Sequence, residues 1–299
     1  MSYQKQIIVL IFSLILTAPC AFAQDEDPAK WITSIVLDIT TTQTAYSDSW
    51  SGGELGSLSW VGNLNGSAEK QLSPSFNFKS RLKLSFGQTL AQDTNKVWAK
   101  PRKSTDLIDW ENVGRVTKNW FVDPYVAFRL ESQFLDASFE PKKRYFTPIR
   151  LTESAGVARK LYAEGEKNEI ISRLGFALRQ IMKNVIIDPV TYATADSTLT
   201  DGGIESVTDI KLSLGEKLQY TGKLTLYKAL FFSGKDKVAG TEYEDYWKAA
   251  DVNWENILTA SITKILSVNF YTQVLYDKEV SIKGRFKETL GIGFVFKMM

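Results

Sequence analysis

Residues 282–296 read Ile-Lys-Gly-Arg-Phe-Lys-Glu-Thr-Leu-Gly-Ile-Gly-Phe-Val-Phe, and they alternate almost without interruption. Ile282, Gly284, Phe286, Leu290, Ile292, Phe294 and Phe296 share one parity, while Lys283, Arg285, Lys287 and Thr289 share the other. Successive side chains of a strand point to opposite faces of its sheet, so this segment predicts a strand with one apolar and one charged face. A strand so polarised separates an apolar phase from a wet one.

Four more segments repeat the pattern. Phe76, Phe78, Leu82, Leu84 and Phe86 oppose Asn77, Lys79, Arg81, Lys83 and Ser85. Val126, Phe128, Leu130 and Phe134 oppose Arg129, Glu131 and Gln133. Leu218, Tyr220, Leu224 and Leu226 oppose Gln219, Thr221, Lys223 and Thr225, and Leu266, Val268, Phe270, Val274 and Tyr276 oppose Ser267, Asn269, Tyr271 and Gln273. Weaker runs at 34–46, 57–71, 105–115, 148–163, 168–183, 204–214 and 252–262 bring the total to about twelve strands. The 105–115 run is the least regular, because Leu107, Ile108 and Trp110 do not share one parity.

The joins alternate in length. Short ones fall at 72–75, 116–119, 164–167, 215–218 and 263–264, and long ones at 47–56, 91–104, 137–147, 184–203, 233–251 and, briefest, 277–281. Spanning barrels have short turns at one end and long loops at the other, with both termini at the short-turn end. No run after Gln24 approaches eighteen apolar residues, so no helical span is expected, and a closed barrel is then the architecture that leaves no backbone group unpaired in lipid. Trp60, Trp120, Tyr125, Tyr246, Trp247, Trp254 and Tyr276 lie near expected strand ends, where interfacial aromatics gather.

The N-terminus fits export. Lys5 precedes an apolar run from Ile7 to Leu16 and a small-residue site at Ala21-Phe22-Ala23, which predicts a cleaved signal peptide over residues 1–23. A lipoprotein signal at Cys20 is disfavoured by Pro19. Residues 24–299 then form one domain, with no linker dividing them. If Cys20 leaves with the leader, the mature chain has no thiol.

Thr289-Leu-Gly-Ile-Gly-Phe-Val-Phe296 resembles the closing-strand signal of Gram-negative outer-membrane barrels. The resemblance implies recognition of 289–296 by the outer-membrane barrel assembly machinery, and an environment of outer-membrane lipid and lipopolysaccharide. Trp50-Ser-Gly-Gly, the polar strand around Asn63 and Asn65, Lys103-Ser-Thr-Asp106 and Glu131-Ser-Gln-Phe134 resemble an uncharacterised Gram-negative outer-membrane family, one of the domains of unknown function. That likeness spans about residues 46–200 and implies no activity for any position.

The chain contains no histidine. General acid/base catalysis near neutral pH favours that side chain, and a serine nucleophile here would have no imidazole to activate it. With neither histidine nor mature cysteine, zinc sites are not expected, and no cofactor is. Glu242-Tyr-Glu-Asp245, with Asp236 and Asp251, offers carboxylates without the spacing of a calcium loop. Lys96, Lys100, Arg102 and Lys103, and Lys142, Lys143 and Arg144, form basic loop patches facing lipopolysaccharide phosphates or plain solvent. A net charge of +2 gives no reason to expect nucleic acid.

The polar parity lines the interior of a barrel. Lys79, Arg81, Lys83, Arg129, Arg173, Arg179, Lys211, Lys223, Lys283, Arg285 and Lys287 are the candidate binding residues of a basic lumen, with Arg115, Arg150 and Lys160 on the same parity. Asp38, Asp109, Glu111, Glu131, Glu169, Asp209 and Glu255 oppose them. Such an excess favours anions if the pore is open; the alternative is that the charges pair across the lumen and plug it. As the twelfth strand, 282–296 would pair with the first and set Lys283, Arg285 and Lys287 beside Asp38 and Thr40. The functional expectation is a passive channel for small anionic solutes. One alternative is a non-conducting scaffold whose outer loops bind glycan, lipopolysaccharide or protein, and another is a soluble secreted β protein.

Overall fold

The computed structural model describes residues 30–46, 54–118, 120–165 and 168–298. The expected leader and the Trp50 motif lie outside them. Twelve antiparallel strands close into one ring: β1 (Ile32–Thr44), β2 (Ser57–Ser73), β3 (Phe76–Ala91), β4 (Arg102–Val116), β5 (Asp123–Ser132), β8 (Ile149–Glu164), β9 (Asn168–Asp188), β10 (Ala193–Ser213), β11 (Leu218–Phe232), β12 (Ala250–Ser261), β13 (Leu266–Asp277) and β14 (Ser281–Met298). The loop between β5 and β8 carries a two-rung ladder of β6 (Leu135–Asp136) and β7 (Arg144–Tyr145). Each ring strand pairs with its chain neighbours, and β14 returns to β1, so the ladder has no open side. Closure is what a sheet needs in order to stand in lipid.

The period-two pattern sets the two faces. Phe286 is 64 % and Leu290 58 % exposed on the outer surface of the protein alone, and Phe176, Leu174, Val126 and Ile204 stand out likewise. Arg81, Glu111, Arg173 and Asp209 meet inside. This is the inverse of a soluble protein and the arrangement of a spanning barrel. The irregular 105–115 segment is β4. Ile108 and Trp110 sit on its outward parity, with Trp110 bonded to Ser80 and edge-on to Phe128, while Leu107 is an apolar exception lining the lumen.

Short joins such as 74–75, 214–217 and 262–265 mark the turn end, where β1 begins and β14 ends; 92–101, 133–148 and 233–249 mark the loop end. One expected loop is absent. Residues 184–203, read as a connector, are mostly wall, because β9 runs to Asp188 and β10 starts at Ala193. Asp188-Pro189 opens a four-residue turn, and Gly202-Gly203 marks a bulge inside a continuing ladder. At that turn the Thr191 hydroxyl and the Val190 and Thr191 amides hold the Asp188 carboxyl below its ordinary range.

The seam also differs from expectation. Asp38 faces Val295 and Thr40 faces Gly293, and the β1 to β14 pairing ends at Thr41 and Ile292. Lys287 and Arg285 lie further toward the loop end, opposite Gln273 and Leu275 of β13. A strand pair in a barrel is staggered by the shear, so position along β14 alone did not fix its partners on β1. The aromatic expectation requires an outward side chain, which Trp254 and Trp120 have. It fails for Tyr125, which is 4 % exposed inside the barrel, and for Trp247, which packs on Phe232 against Ala177, Tyr227 and Ala229.

Candidate functional site

The inward parity of β3, β4, β9, β10 and β11 converges on Glu111. Its carboxylate accepts from Arg173 at 2.6 Å, from Lys223 at 3.2 Å and from Arg81, while Asp209 accepts from Arg81 at 3.0 Å and lies 3.4 Å from Arg173. On the ring, β3 and β10 have four strands between them one way and six the other. The Arg81 to Asp209 bond is therefore a crossbar close to the full width of the lumen. Lys83 bonds Glu255 of β12 at 2.8 Å, again past four intervening strands, in the opposite sense around the ring. Burying both charges of such a pair costs desolvation, and Glu111, Asp209, Arg81 and Arg173 are each repaid by more than one partner.

Toward the loop end, Arg129 takes both oxygens of Asp109, at 2.8 and 2.9 Å, and Glu131 at 3.1 Å. Arg179 grips Asp201 through Nε and Nη2, at 2.8 and 3.1 Å, and donates to Asp251 at 2.8 Å. Its guanidinium lies 3.5 Å from the Tyr227 ring centroid, and the Tyr227 hydroxyl donates to Asp201. Two-point contact on a carboxylate with a stacked aromatic face suits the planar guanidinium. At the turn end, Lys79 pairs with Glu69 at 2.9 Å, and Glu169 receives Lys160 at 3.0 Å.

The expectation of a basic lumen is thus corrected in part. Lys79, Arg81, Lys83, Arg129, Arg173, Arg179 and Lys223 do face inward, and each is matched by a carboxylate. The missing acids are Asp201, Glu205 and Asp251. Asp201 and Asp251 stood in segments read as loops, and Glu205 shares the inward parity of Asp209 and Lys211, a signal that was legible once β10 was placed. Lys211, Lys283, Arg285 and Lys287 have no carboxylate within 4 Å among the described residues. Lys287 instead donates to Thr105 at 2.9 Å.

The crossbars do not fill the lumen. One cavity of about 1400 Å³ reaches both ends of the barrel. Lys103, Asp106, Glu131, Arg150, Asp251 and Asp277 line it at the loop end, and Ser67, Gln219, Ser261, Thr263, Lys264 and Val295 at the turn end. Between them it runs chiefly along β1, β2, β12, β13 and β14, past Asp38, Asn63, Tyr271 and Lys287, and it also touches Arg150, Glu205, Lys211 and Thr225 on the strands that carry the knot. The knot around Glu111 occupies one side, and a polar lane remains on the other.

The loop-end motifs read from sequence come together at the mouth. Lys103 Nζ donates to Gln133 Oε1 at 2.8 Å, to Asp106 at 3.2 Å and to the Leu135 carbonyl. Asp106 accepts from the amides of Phe134 and Leu135 at 2.7 and 2.9 Å. Lys103-Ser-Thr-Asp106 and Glu131-Ser-Gln-Phe134 thus form a clamp that folds the start of the 133–148 loop onto β4. Asn63 donates to Asp38 at 2.9 Å and accepts from Ser85, which ties the lane wall across β1, β2 and β3. The acidic loop around Glu244 yields no metal-binding group of three carboxylates among the described residues.

Residues 41–137 match the model of a family described as a protein of unknown function (DUF3078). That match covers both clamp segments, within the span where the family resemblance was read. No curated protein matches the chain. Among solved structures, it is similar to an outer membrane channel from Pseudomonas putida F1, at 13 % identity over 94 % of this chain and 100 % of that one, with a TM-score of 0.41. It is also similar to the β domain of the Bordetella autotransporter BrkA, at 9 % identity over 91 % and 98 % of the two chains, with a TM-score of 0.33. OprB of Pseudomonas putida is similar at 11 % identity over 90 % and 92 %, with a TM-score of 0.24.

Proposed function

We propose that this chain is an integral outer-membrane barrel that passes small solutes along the lane beside β14, without a chemical step and with preference for anions. The export leader, the closing-strand signal and the apolar outer face support the location. The uncompensated charge of the lane carries the selectivity. Among its lining residues, Arg150, Lys211, Lys217, Lys264, Arg285 and Lys287 have no carboxylate within 4 Å among the described residues, against Asp38, Glu205 and Asp277 without a cationic partner there. Paired charges contribute little net field to a passing ion, so the unpaired ones decide its sign.

The test is conductance of the purified full chain in planar bilayers under a potassium chloride gradient. The proposal expects discrete conducting steps and a reversal potential shifted toward chloride. Silence would overturn the channel, and a shift toward potassium would overturn the anion preference.

A further inference from the structure

The β10 strand sets three carboxylates inward at intervals of four: Asp201, Glu205 and Asp209. The outer two are bonded to arginines of β9, Asp201 to Arg179 and Asp209 to Arg173. The middle one is not. Opposite Glu205 on β9 stands Gly175, where a Cβ would lie 2.3 Å from the Ala155 carbonyl and 2.8 Å from the Tyr125 hydroxyl, so no basic side chain fits. Glu205 is 8 % exposed, lines the cavity, and has neither an ion pair nor a hydrogen bond among the described residues.

Its surroundings lack one positive charge. The cations whose field it feels, Arg173, Arg129 and Lys223, are committed to Glu111, Asp209, Asp109 and Glu131. With Arg81 they make four cations against five carboxylates once Glu205 is counted. An uncompensated carboxylate out of bulk water is costly, so the site favours a cation. Thr225 stands beside it on β11, diagonal to the Glu205 and Tyr227 pair, and presents a cavity-lining hydroxyl with no hydrogen bond of its own among the described residues. One carboxylate and one hydroxyl are too few oxygens for a divalent metal, and they match the several N–H donors of an ammonium group.

We propose that Glu205 and Thr225 form a docking point for the primary ammonium group of a small solute in the lane. The solute class would carry an amine as well as any anionic group that the lane's lysines and arginines attract. This rests on the lane being open to solutes, and the two readings are separable. Binding is read without conduction, by ligand-observed NMR on the purified full chain in detergent micelles, with methylammonium and tetramethylammonium as probes. Conduction is read in potassium chloride alone.

Methylammonium should bind at least tenfold tighter than tetramethylammonium, which has no N–H to donate. Glu205→Gln, which keeps the shape, should weaken methylammonium at least tenfold, and Thr225→Val several-fold, with heat-modifiable electrophoretic mobility confirming that each variant folds. Equal binding of the two probes, or methylammonium binding unchanged in Glu205→Gln, would overturn the proposal even if the barrel conducts.

Discussion

Glu111 shows how one side chain can close half of a lumen. Arg81, Arg173 and Lys223 all bond to it, so its removal leaves Arg81 and Arg173 sharing Asp209 and Lys223 with no carboxylate within 4 Å among the described residues. Removing one partner of a buried ionic network typically costs about 3–5 kcal/mol. Glu111→Gln should therefore lower the unfolding free energy of the folded barrel by an amount of that order, read from the denaturant dependence of band shifts between folded and unfolded forms. A loss below about 1 kcal/mol would show that the crossbars are solvated and weak, as exposed pairs are. Gly291 is a second point where one atom matters. A Cβ there would lie 2.2 Å from the Thr40 methyl carbon across the seam. Gly291→Val should destabilise closure by about 1–3 kcal/mol, as overpacking does, and Thr40→Gly in the same chain should recover most of it. Failure of that rescue would place the strain elsewhere.

The 133–148 loop is held by hydrogen bonds to Asp106 and Lys103 rather than by a buried core. Asp106→Ala leaves the Phe134 and Leu135 amides without their acceptor. Limited proteolysis of folded protein should then cut within 133–148 at least several-fold faster, with the barrel fragment still migrating as folded; an unchanged rate would mean that the Arg144 contacts to Asn184 and Asp136 suffice. Elements of this kind mark the boundary of what sequence reveals. The ring strands were legible because lipid on one side and water on the other impose a strict period of two. The length of β9 and β10 was not, since Asp-Pro and Gly-Gly carry the same local signal in a turn and in a bulge. Pairing across the lumen was hidden too: Arg81 and Asp209 are 128 positions apart, and parity says only that both point inward. The clamp motifs stood out in the sequence, but their chemistry emerged only when β4 and the loop were side by side.

For the molecule as a whole, the division of the lumen into a bonded half and an open lane separates stability from selectivity. Charges in the knot hold opposite walls together, whereas Arg285 and Lys287 face the lane and bond to no carboxylate among the described residues. Arg285→Glu with Lys287→Glu should swing the reversal potential toward potassium while leaving the unfolding free energy within about 0.5 kcal/mol of the parent, the range usual for substitutions away from packed features. If stability fell as far as in Glu111→Gln, the division would be wrong.

The stagger at the seam has a kinetic consequence. Every other pairing in the ring joins strands that follow one another along the chain, whereas β1 meets β14 across nearly the whole polypeptide, through seven matched positions from Ile35 opposite Met298 to Thr41 opposite Ile292. Local hairpins can form early, but this contact pays the largest loop-closure entropy for one of the smallest rewards, which makes it the natural last step of folding. A chain truncated before Ser281 should therefore build its hairpins and still expose two edges. In refolding assays into lipid vesicles it should be trapped as aggregate or protease-sensitive sheet, while the full chain reaches the heat-modifiable state.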